Sequence, residues 1–247
     1  MGDGDRHARG RPSTAYGGAE LDRLGLVLVD LARGLQSEKD ERSTLDAVVR
    51  AAVDTIPGAD YAAISEIRGR RRISTTATTH QVPCDVDEVQ YDTDQGPCLS
   101  SLYEETTVRV SDVGADPRWP AFSKGVAELG IGSMLSFQLY VSDDNLGALN
   151  LYAERPDAFT DDSEQVGLLF AAHAAVAMSD ARQITQLTQA LSTRDVIGQA
   201  KGILMERHRV TGEQAFRLLV LSSQHTNTKL LDVARHLVES GELTAPR

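Results

Sequence analysis

The 247-residue sequence predicts an α+β domain, an antiparallel five- or six-stranded sheet flanked by helices, then a long connecting helix and an all-α three-helix domain. Three observations carry this reading. Short runs rich in Ile and Thr lie between Tyr61 and Ala153, with helical periodicity on both sides. From Asp161 the helical pattern continues past Leu191 without a strong breaker. After Ser192, three apolar stripes of helical spacing are separated by capping and turn signals. The expected divisions are a disordered leader at 1–18, the sheet domain with its N-terminal helix at 19–180, a helical connector at 181–191 and the three-helix domain at 192–247.

Leu21, Leu24, Leu28, Leu31 and Leu35 recur every three or four residues and line one face of a helix. Ser43 is the expected N-cap of the next helix. Its buried stripe is Leu45, Val48, Val49, Ala52, Val53 and Ile56, and Pro57-Gly58 ends it. Tyr61–Ile67 and Arg72–Thr78 read as a hairpin turning at Gly69, Thr106–Val110 as a third strand, and Ser133–Val141 with Leu146–Ala153 as a second hairpin. The Pro117-Arg118-Trp119-Pro120 bend feeds a short helix over Ala121–Leu129. From Asp161 to Met178 the apolar face is expected to run through Val166, Leu169, Phe170, His173, Val176 and Ala177. Ile184, Leu187 and Leu191 continue as a short heptad-like seam, which suits pairing with a twin helix in a homodimer.

A composition of 41% hydrophobic and 25% charged residues allows a real core. No apolar run approaches the roughly eighteen residues of a membrane-spanning helix. The polar, Gly-rich start lacks the apolar segment of a secretory signal. Cys84 and Cys98 cannot form a disulfide framework, and their spacing matches no four-ligand zinc site, so no metal is expected. These features together predict a cytoplasmic chain. The net charge of −11 is unevenly spread: Ser192–Arg247 holds eight Lys/Arg against six Asp/Glu, whereas the first 191 residues hold 17 against 30. Three of the six histidines, His208, His225 and His236, also lie in the last segment. A polyanion would be directed to the C-terminal part.

The order of elements in the sheet domain, with Gln95-Gly-Pro-Cys-Leu-Ser-Ser-Leu102, the Asp112–Pro120 loop, and Leu146-Gly-Ala-Leu-Asn-Leu-Tyr152 followed by Phe159-Thr-Asp-Asp162, resembles GAF domains. The resemblance covers roughly residues 40–180 and implies a sensor that responds to a small molecule or a partner protein. Phe159 and Asp161-Asp162 match part of the cyclic-nucleotide signature of that family, but its Asn-Lys pair is absent, so no cofactor or ligand is named. Some GAF domains reduce methionine sulfoxide through cysteines. Here Cys98 has no Lys, Arg or His close in sequence to lower its pKa, and Asp85 beside Cys84 raises that thiol. Cys98 reads as a small buried residue in a Gly-Pro-Cys turn, and His173 as a core histidine.

In the tail, Ser192 and Asp195 form an expected capping start, with Ile197, Ala200, Ile203 and Leu204 as a buried stripe. Thr211-Gly-Glu-Gln214 is a capping box opening a helix with Ala215, Phe216, Leu219 and Val220 inside, closed by Thr226-Asn227. Leu230, Val233, Ala234, Leu237 and Val238 face inward on a third helix ended by Gly241. Gln199-Ala-Lys-Gly-Ile-Leu-Met205, Glu213-Gln-Ala-Phe216, Asn227, Lys229-Leu230 and Asp232-Val-Ala234 closely resemble the ANTAR family over 192 to about 240. That resemblance implies a dimer that binds paired RNA stem-loops and prevents a terminator from forming. Most relatives carry a phosphoryl-accepting receiver domain where this chain has the GAF-like domain, and many carry Arg where Val220 stands.

Residue chemistry agrees with RNA. Lys201 beside Gly202 places a cation next to bare backbone, which lets a phosphate or base approach. Gln224, Thr226 and Asn227 carry donors and acceptors for exposed bases of a loop, while Lys229 and Arg235 add phosphate contacts and Gln199 lies in the same motif. Two other readings compete. A DNA-binding module needs several Arg, Asn or Gln along one recognition helix, and the third helix offers only Lys229, Arg235 and His236. A cysteine redox enzyme needs a low-pKa thiolate, for which the sequence gives no support. No other catalytic motif is present, and an enzyme is not expected.

Overall fold

The computed structural model describes residues 40–68, 72–142 and 144–243, with Gly25, Val29, Arg33, Gly34, Leu35 and Glu38 before them. The expected leader, most of the Leu21–Leu35 helix and the Gly69 turn lie outside the described residues. By contacts the chain divides into two units, Met1–Ala181 and Arg182–Arg247.

The first unit is a five-stranded antiparallel sheet with helices on both faces. In chain order its elements are α1 (Glu41–Thr55), β1 (Tyr61–Arg68), β2 (Arg72–Thr78), α2 (Gln81–Thr93), α3 (Pro97–Tyr103), β3 (Thr107–Val110), α4 (Pro120–Val126), β4 (Ser133–Val141) and β5 (Asp144–Ala153). The strands lie side by side as β2-β1-β5-β4-β3. The last helix of this unit is the first part of α5 (Asp161–His208). Gly147 on central β5 is required by its neighbours: a Cβ there would lie 2.1 Å from the Ser65 carbonyl oxygen.

Side chains alternate between the two sheet faces. One face is apolar throughout: Ile64, Leu135, Phe137, Leu139, Leu149 and Leu151 pack with Val48, Val49 and Ala52 of α1 and Phe170, Ala171, Ala174 and Ala175 of α5. The alanines let α5 lie close to the sheet, and Gly167 faces Phe137, whose ring would be 2.3 Å from an added Cβ. This settles the rotation of α5 against the sequence expectation. Leu169 is 42% and Val176 52% exposed, and His173 lies in solvent, its ring nitrogen bonded at 2.8 Å to the Leu169 carbonyl of its own helix. The segment is apolar on almost every side, so hydrophobic spacing alone could not choose the small-residue face.

The opposite face carries a polar cluster in its centre. Asp87 of α2 is fully buried and accepts hydrogen bonds from Tyr152 at 2.5 Å, Thr75 at 2.7 Å, Gln90 at 2.9 Å and Ser65 at 3.1 Å. Tyr91 and Asn150 in turn donate to Ser65 Oγ at 2.9 and 3.0 Å. Gln90 also accepts from the Cys98 backbone N–H at 2.9 Å, capping α3 from outside. Gly96 leaves room for that amide, since a Cβ would meet Gln90 Oε1 at 2.4 Å. Gln95 supplies the same service to α4 by accepting from the Ala121 N–H at 3.0 Å.

The segment between β2 and β3 forms two helices, one carrying Cys84 and the other Cys98, so Cys98 lies in a helix rather than in the expected turn. The Gly-Pro-Cys segment is a helix start, with Gly96 at the N-cap and Pro97 in the first turn. The N-cap of α1 is Asp40, not Ser43; Ser43 occupies the third helical position and closes the capping box from the other side.

The second unit contains the rest of α5, then α6 (Gly212–Thr226) and α7 (Leu230–Ser240). Helix α5 runs unbroken through Ser192 and Asp195, so no helix begins there; Asp195 instead accepts from the Gln199 amide one turn on, at 2.9 Å. The capping box of Thr211 and Gln214 opens α6 as expected, and Gly241, at φ 75°, ends α7.

Replacing Asp87 by Ala leaves four donors, three of them buried, without their acceptor and should destabilise the first unit by about 3–5 kcal/mol. The Asp87 carboxyl is raised above its ordinary value by burial, partly offset by the bonds from Tyr152, Thr75, Ser65 and Gln90. The folded state thus holds this proton more tightly than the unfolded chain does. Its contribution is fully present below about pH 4 and is lost as pH rises through the folded value. Thermal unfolding of the wild type and Asp87→Asn from about pH 4 to pH 8 checks the sign: the wild type should lose stability relative to the variant as pH rises.

Candidate nucleic-acid interface

Ala200 and Leu204 of α5 are fully buried against Ala215 and Leu219 of α6 and Val233, Ala234 and Leu237 of α7. That packing fixes the rotation of the helix end. Arg194, Gly198, Gly202 and Met205, spaced four, four and three apart, fall together on the solvent side. Lys201 lies between the two faces and is half-buried. Its side chain extends to the start of α6, where a Cβ on Gly212 would lie 3.6 Å from Lys201 Cε and 3.7 Å from Nζ. Neither Gly198 nor Gly202 has any atom within 4 Å of an added Cβ, so nothing inside the described chain requires glycine at either position.

The expected contact residues at the end of α6 and on α7 form a separate patch, while Gln199 lies on α5 with Lys201. Gly212 and Gln224 are separated by roughly 18 Å of helix at 1.5 Å per residue. Structural roles are visible in this second patch. Asn227 is the left-handed C-cap of α6 at φ 51°, and its N–H is directed at the carbonyls of Gln224 and Ser223. The Thr226 hydroxyl donates to the Ser222 carbonyl at 2.8 Å. The Gln224 side chain is exposed, and Lys229, also exposed, is the N-cap residue of α7. Arg235, on α7, pairs with Asp232 at 3.4 Å, and Gln199 donates to Asp195.

The cations divide by engagement. Arg217 pairs with Glu213 at 2.9 Å, and Arg207 donates to the Gly241 carbonyl. Arg194, Lys201, Arg209 and Lys229 form no ion pair among the described residues. Arg194 was not singled out from sequence, because only the packing of Ala200 and Leu204 shows that it is left outside the core. Phe216 was placed inside the helical core but is 39% exposed. Its neighbour Ala215 takes the buried position, and a phenylalanine beside a filled core site gives no signal in a hydrophobic pattern. Ile184, Leu187 and Leu191 are 60, 66 and 67% exposed and share one face of α5.

The first unit has little of what thiol chemistry needs. Burial pushes the Cys98 thiol up to about 12, with the Asp87 charge adding to it. Cys84 is raised by burial, then by Asp87 and Asp85. Both shifts disfavour the thiolate. A surface cleft of about 590 Å³ lies beside α3, lined among others by Leu99, Tyr103, Glu105, Arg118 and Trp119. The Arg118 guanidinium stacks 4.3 Å from the Trp119 ring centre and is clamped by Asp116. Among the described residues no helix is long and apolar enough to cross a membrane, and no group of three acidic, His or Cys side chains is placed to hold a metal ion.

Comparison with known proteins agrees with this division. The sequence model of the GAF domain matches residues 38–179, more than half of the chain, which therefore belongs to the GAF domain family. The model of the ANTAR domain matches residues 185–238, so the chain joins a GAF domain to an ANTAR domain. Among solved structures, the GAF domain of an Acinetobacter phosphoenolpyruvate-protein phosphotransferase is similar, at TM-score 0.52 and 17% identity over 68% of this chain and 97% of that one. The free methionine-R-sulfoxide reductase of Neisseria meningitidis, in complex with its substrate, reaches 0.53 at 16% identity over 68% and 95%. A GAF domain from a Coxiella burnetii phosphoenolpyruvate-protein phosphotransferase also reaches 0.53, at 17% identity over 68% and 99%. At such identities the likeness concerns the fold. No curated protein matches the chain closely.

The left-handed backbone at residue 227 gives a direct test of what Asn227 does. Asn227→Gly, which removes the Cβ, should keep or slightly raise the stability of the second unit, whereas Asn227→Ala should cost up to about 1 kcal/mol, because alanine keeps the Cβ and loses the polar side chain that eases the left-handed conformation. Chemical denaturation of the two variants measures both.

Proposed function

We propose that the chain is a cytoplasmic, RNA-binding transcription antitermination regulator. In this reading the ANTAR domain of a homodimer binds paired stem-loops in leader transcripts and prevents terminator formation, under the control of the GAF domain. The observation that supports it most is the solvent face of α5 from Arg194 to Met205. There Arg194 and Lys201, both without ion pairs among the described residues, flank bare helix backbone at Gly198 and Gly202. A glycine in mid-helix costs about 1 kcal/mol relative to alanine, and no packing among the described residues explains two of them. A polyanion that approaches the backbone closely would use both features. Input to the GAF domain would come from a small molecule or a partner protein.

Support for duplex DNA is thinner. Of the cations on the α7 segment, Arg235 is already paired with Asp232, which leaves Lys229 and His236 for a recognition helix. For a thiol reductase, the direction of both cysteine shifts is wrong.

Sequencing the RNA that co-purifies with the full chain tests the reading directly: hairpins in pairs upstream of terminators are expected, and an absence of enriched hairpins would sink it. With such a hairpin in hand, Lys201→Ala should weaken binding by about 1–3 kcal/mol and make its salt dependence shallower by about one unit. Stability should change by no more than about 0.5 kcal/mol. The exposed seam makes a second demand. Leu187→Lys with Leu191→Lys should convert dimers to monomers in sedimentation, and should weaken two-hairpin RNA far more than a single hairpin, because linked sites raise effective concentration.

A further inference from the structure

Within the second unit, the end of α5 and the start of α6 enclose a groove of about 520 Å³. Ala190, Ile197, Gly198 and Phe216 line it together with two cations, Arg194 and Lys201. Three properties of this groove converge. Phe216 sits at the fifth position of α6 and leaves 39% of its surface in solvent, although the core beside it is complete with Ala215 and Leu219 fully buried. The two cations have no ion-pair partner among the described residues. Gly198 lines the groove and leaves its backbone uncovered, with open space where a methyl group would stand.

We propose that this groove receives one unpaired nucleobase of the bound RNA loop, stacked on Phe216, with its flanking phosphates held by Arg194 and Lys201. The inference rests on the RNA-binding reading above and assigns it a base-contacting residue. An aromatic ring offers every base a stacking surface, and single-stranded loops are where bases are free to leave the helix stack. Charge decides between RNA and a second copy of the chain as the occupant. A symmetric protein contact here would bring Arg194 and Lys201 of two copies together without an acidic group in the groove, whereas a nucleotide brings its own anion. The bare turn at Gly198 lets the sugar-phosphate backbone come closer than any side chain would permit.

The test uses the full chain and the hairpin RNA recovered with it, carrying 2-aminopurine at each loop position in turn. Phe216→Leu keeps an apolar side chain but removes the ring. It should lower affinity roughly ten- to hundredfold and abolish the fluorescence quenching at one loop position. Phe216→Trp should preserve both. Gly198→Ala meets no neighbouring side chain or other element among the described residues and favours the helix, so it should fold at least as well as the wild type while binding the hairpin more weakly. Unchanged affinity and quenching in Phe216→Leu, with the wild type binding normally, would overturn the groove assignment and leave the broader reading standing. A fall in the mass of the free chain for Phe216→Leu and Gly198→Ala would overturn it too, by making the groove a contact between copies. If the wild type recovers no hairpin, both readings fall together.

Discussion

The buried carboxylate of Asp87 is the constraint on which the arrangement of the sheet unit depends. A carboxylate taken wholly out of water is costly unless its oxygens are satisfied. Here the satisfying groups come from three separate parts of the chain: β1 and β2 through Ser65 and Thr75, β5 through Tyr152, and its own helix through Gln90. Meeting that demand fixes where α2 lies on the sheet. Gln90 then passes the constraint onward, because the oxygen of the amide that donates to Asp87 also accepts from the first turn of α3. The position of α3 and the need for Gly96 at its start follow from one side chain. Two groups beside the network, Ser136 Oγ and Asn150 Oδ1, have no hydrogen-bond partner among the described residues. They face each other across paired residues of β4 and β5.

The two faces of the sheet therefore hold their helices by different physics. Under α1 and α5 the contact is apolar and depends on close approach, which alanines and Gly167 provide. Under α2 and α3, apolar contacts of Val86 with Met134 and Tyr152, and of Leu99 and Leu102 with Ala148, surround a polar centre whose hydrogen-bond geometry is directional and tolerates less displacement. The same environment governs the cysteines. Cys98 sits within the polar layer and shares it with the Asp87 charge, so burial and electrostatics both hold the thiol protonated. A thiolate nucleophile needs a neighbouring cation or a helix end free of acids. Likeness in fold to a methionine sulfoxide reductase thus coexists with surroundings that favour the opposite protonation state.

What could be read from sequence follows from the same distinction. The strands, the antiparallel sheet, the capping box at Thr211 and the stop at Gly241 were legible because each leaves a local chemical mark. Helix α2 was not, because its buried face includes Asp87 and Gln90, and a hydrophobic pattern cannot report a buried polar stripe. The rotation of α5 was misjudged for the converse reason: with Leu168, Leu169, Phe170, Val176 and the alanines all apolar, volume rather than polarity selects the packed face. In the candidate interface, Lys201 and Gly202 were identified by motif; Gly202 is exposed, and Lys201 is half-buried beside the start of α6. Thr226 and Asn227, equally prominent in the motif, are engaged in ending α6. Arg194 and Phe216 required the fold, since only the packing of Ala200, Leu204 and Ala215 shows which neighbours are left outside.

The uneven charge of the chain bears on how a polyanion could bind a protein of net charge −11. At physiological salt, exposed charges are screened beyond about 8 Å, so a bound polyanion responds mainly to the charges around its own site. Local balance then decides, and in the groove region it is set by Arg194 and Lys201. Glu213, the acid nearest in sequence on α6, is exposed and already paired with Arg217. Such a pair contributes little to stability, but it reduces the negative field at the start of α6. In the RNA-binding reading proposed above, such a surface would act through a few unpaired cations and one exposed ring. Its affinity would depend on salt only through those few contacts, a shallower dependence than that of a protein with a broad basic face.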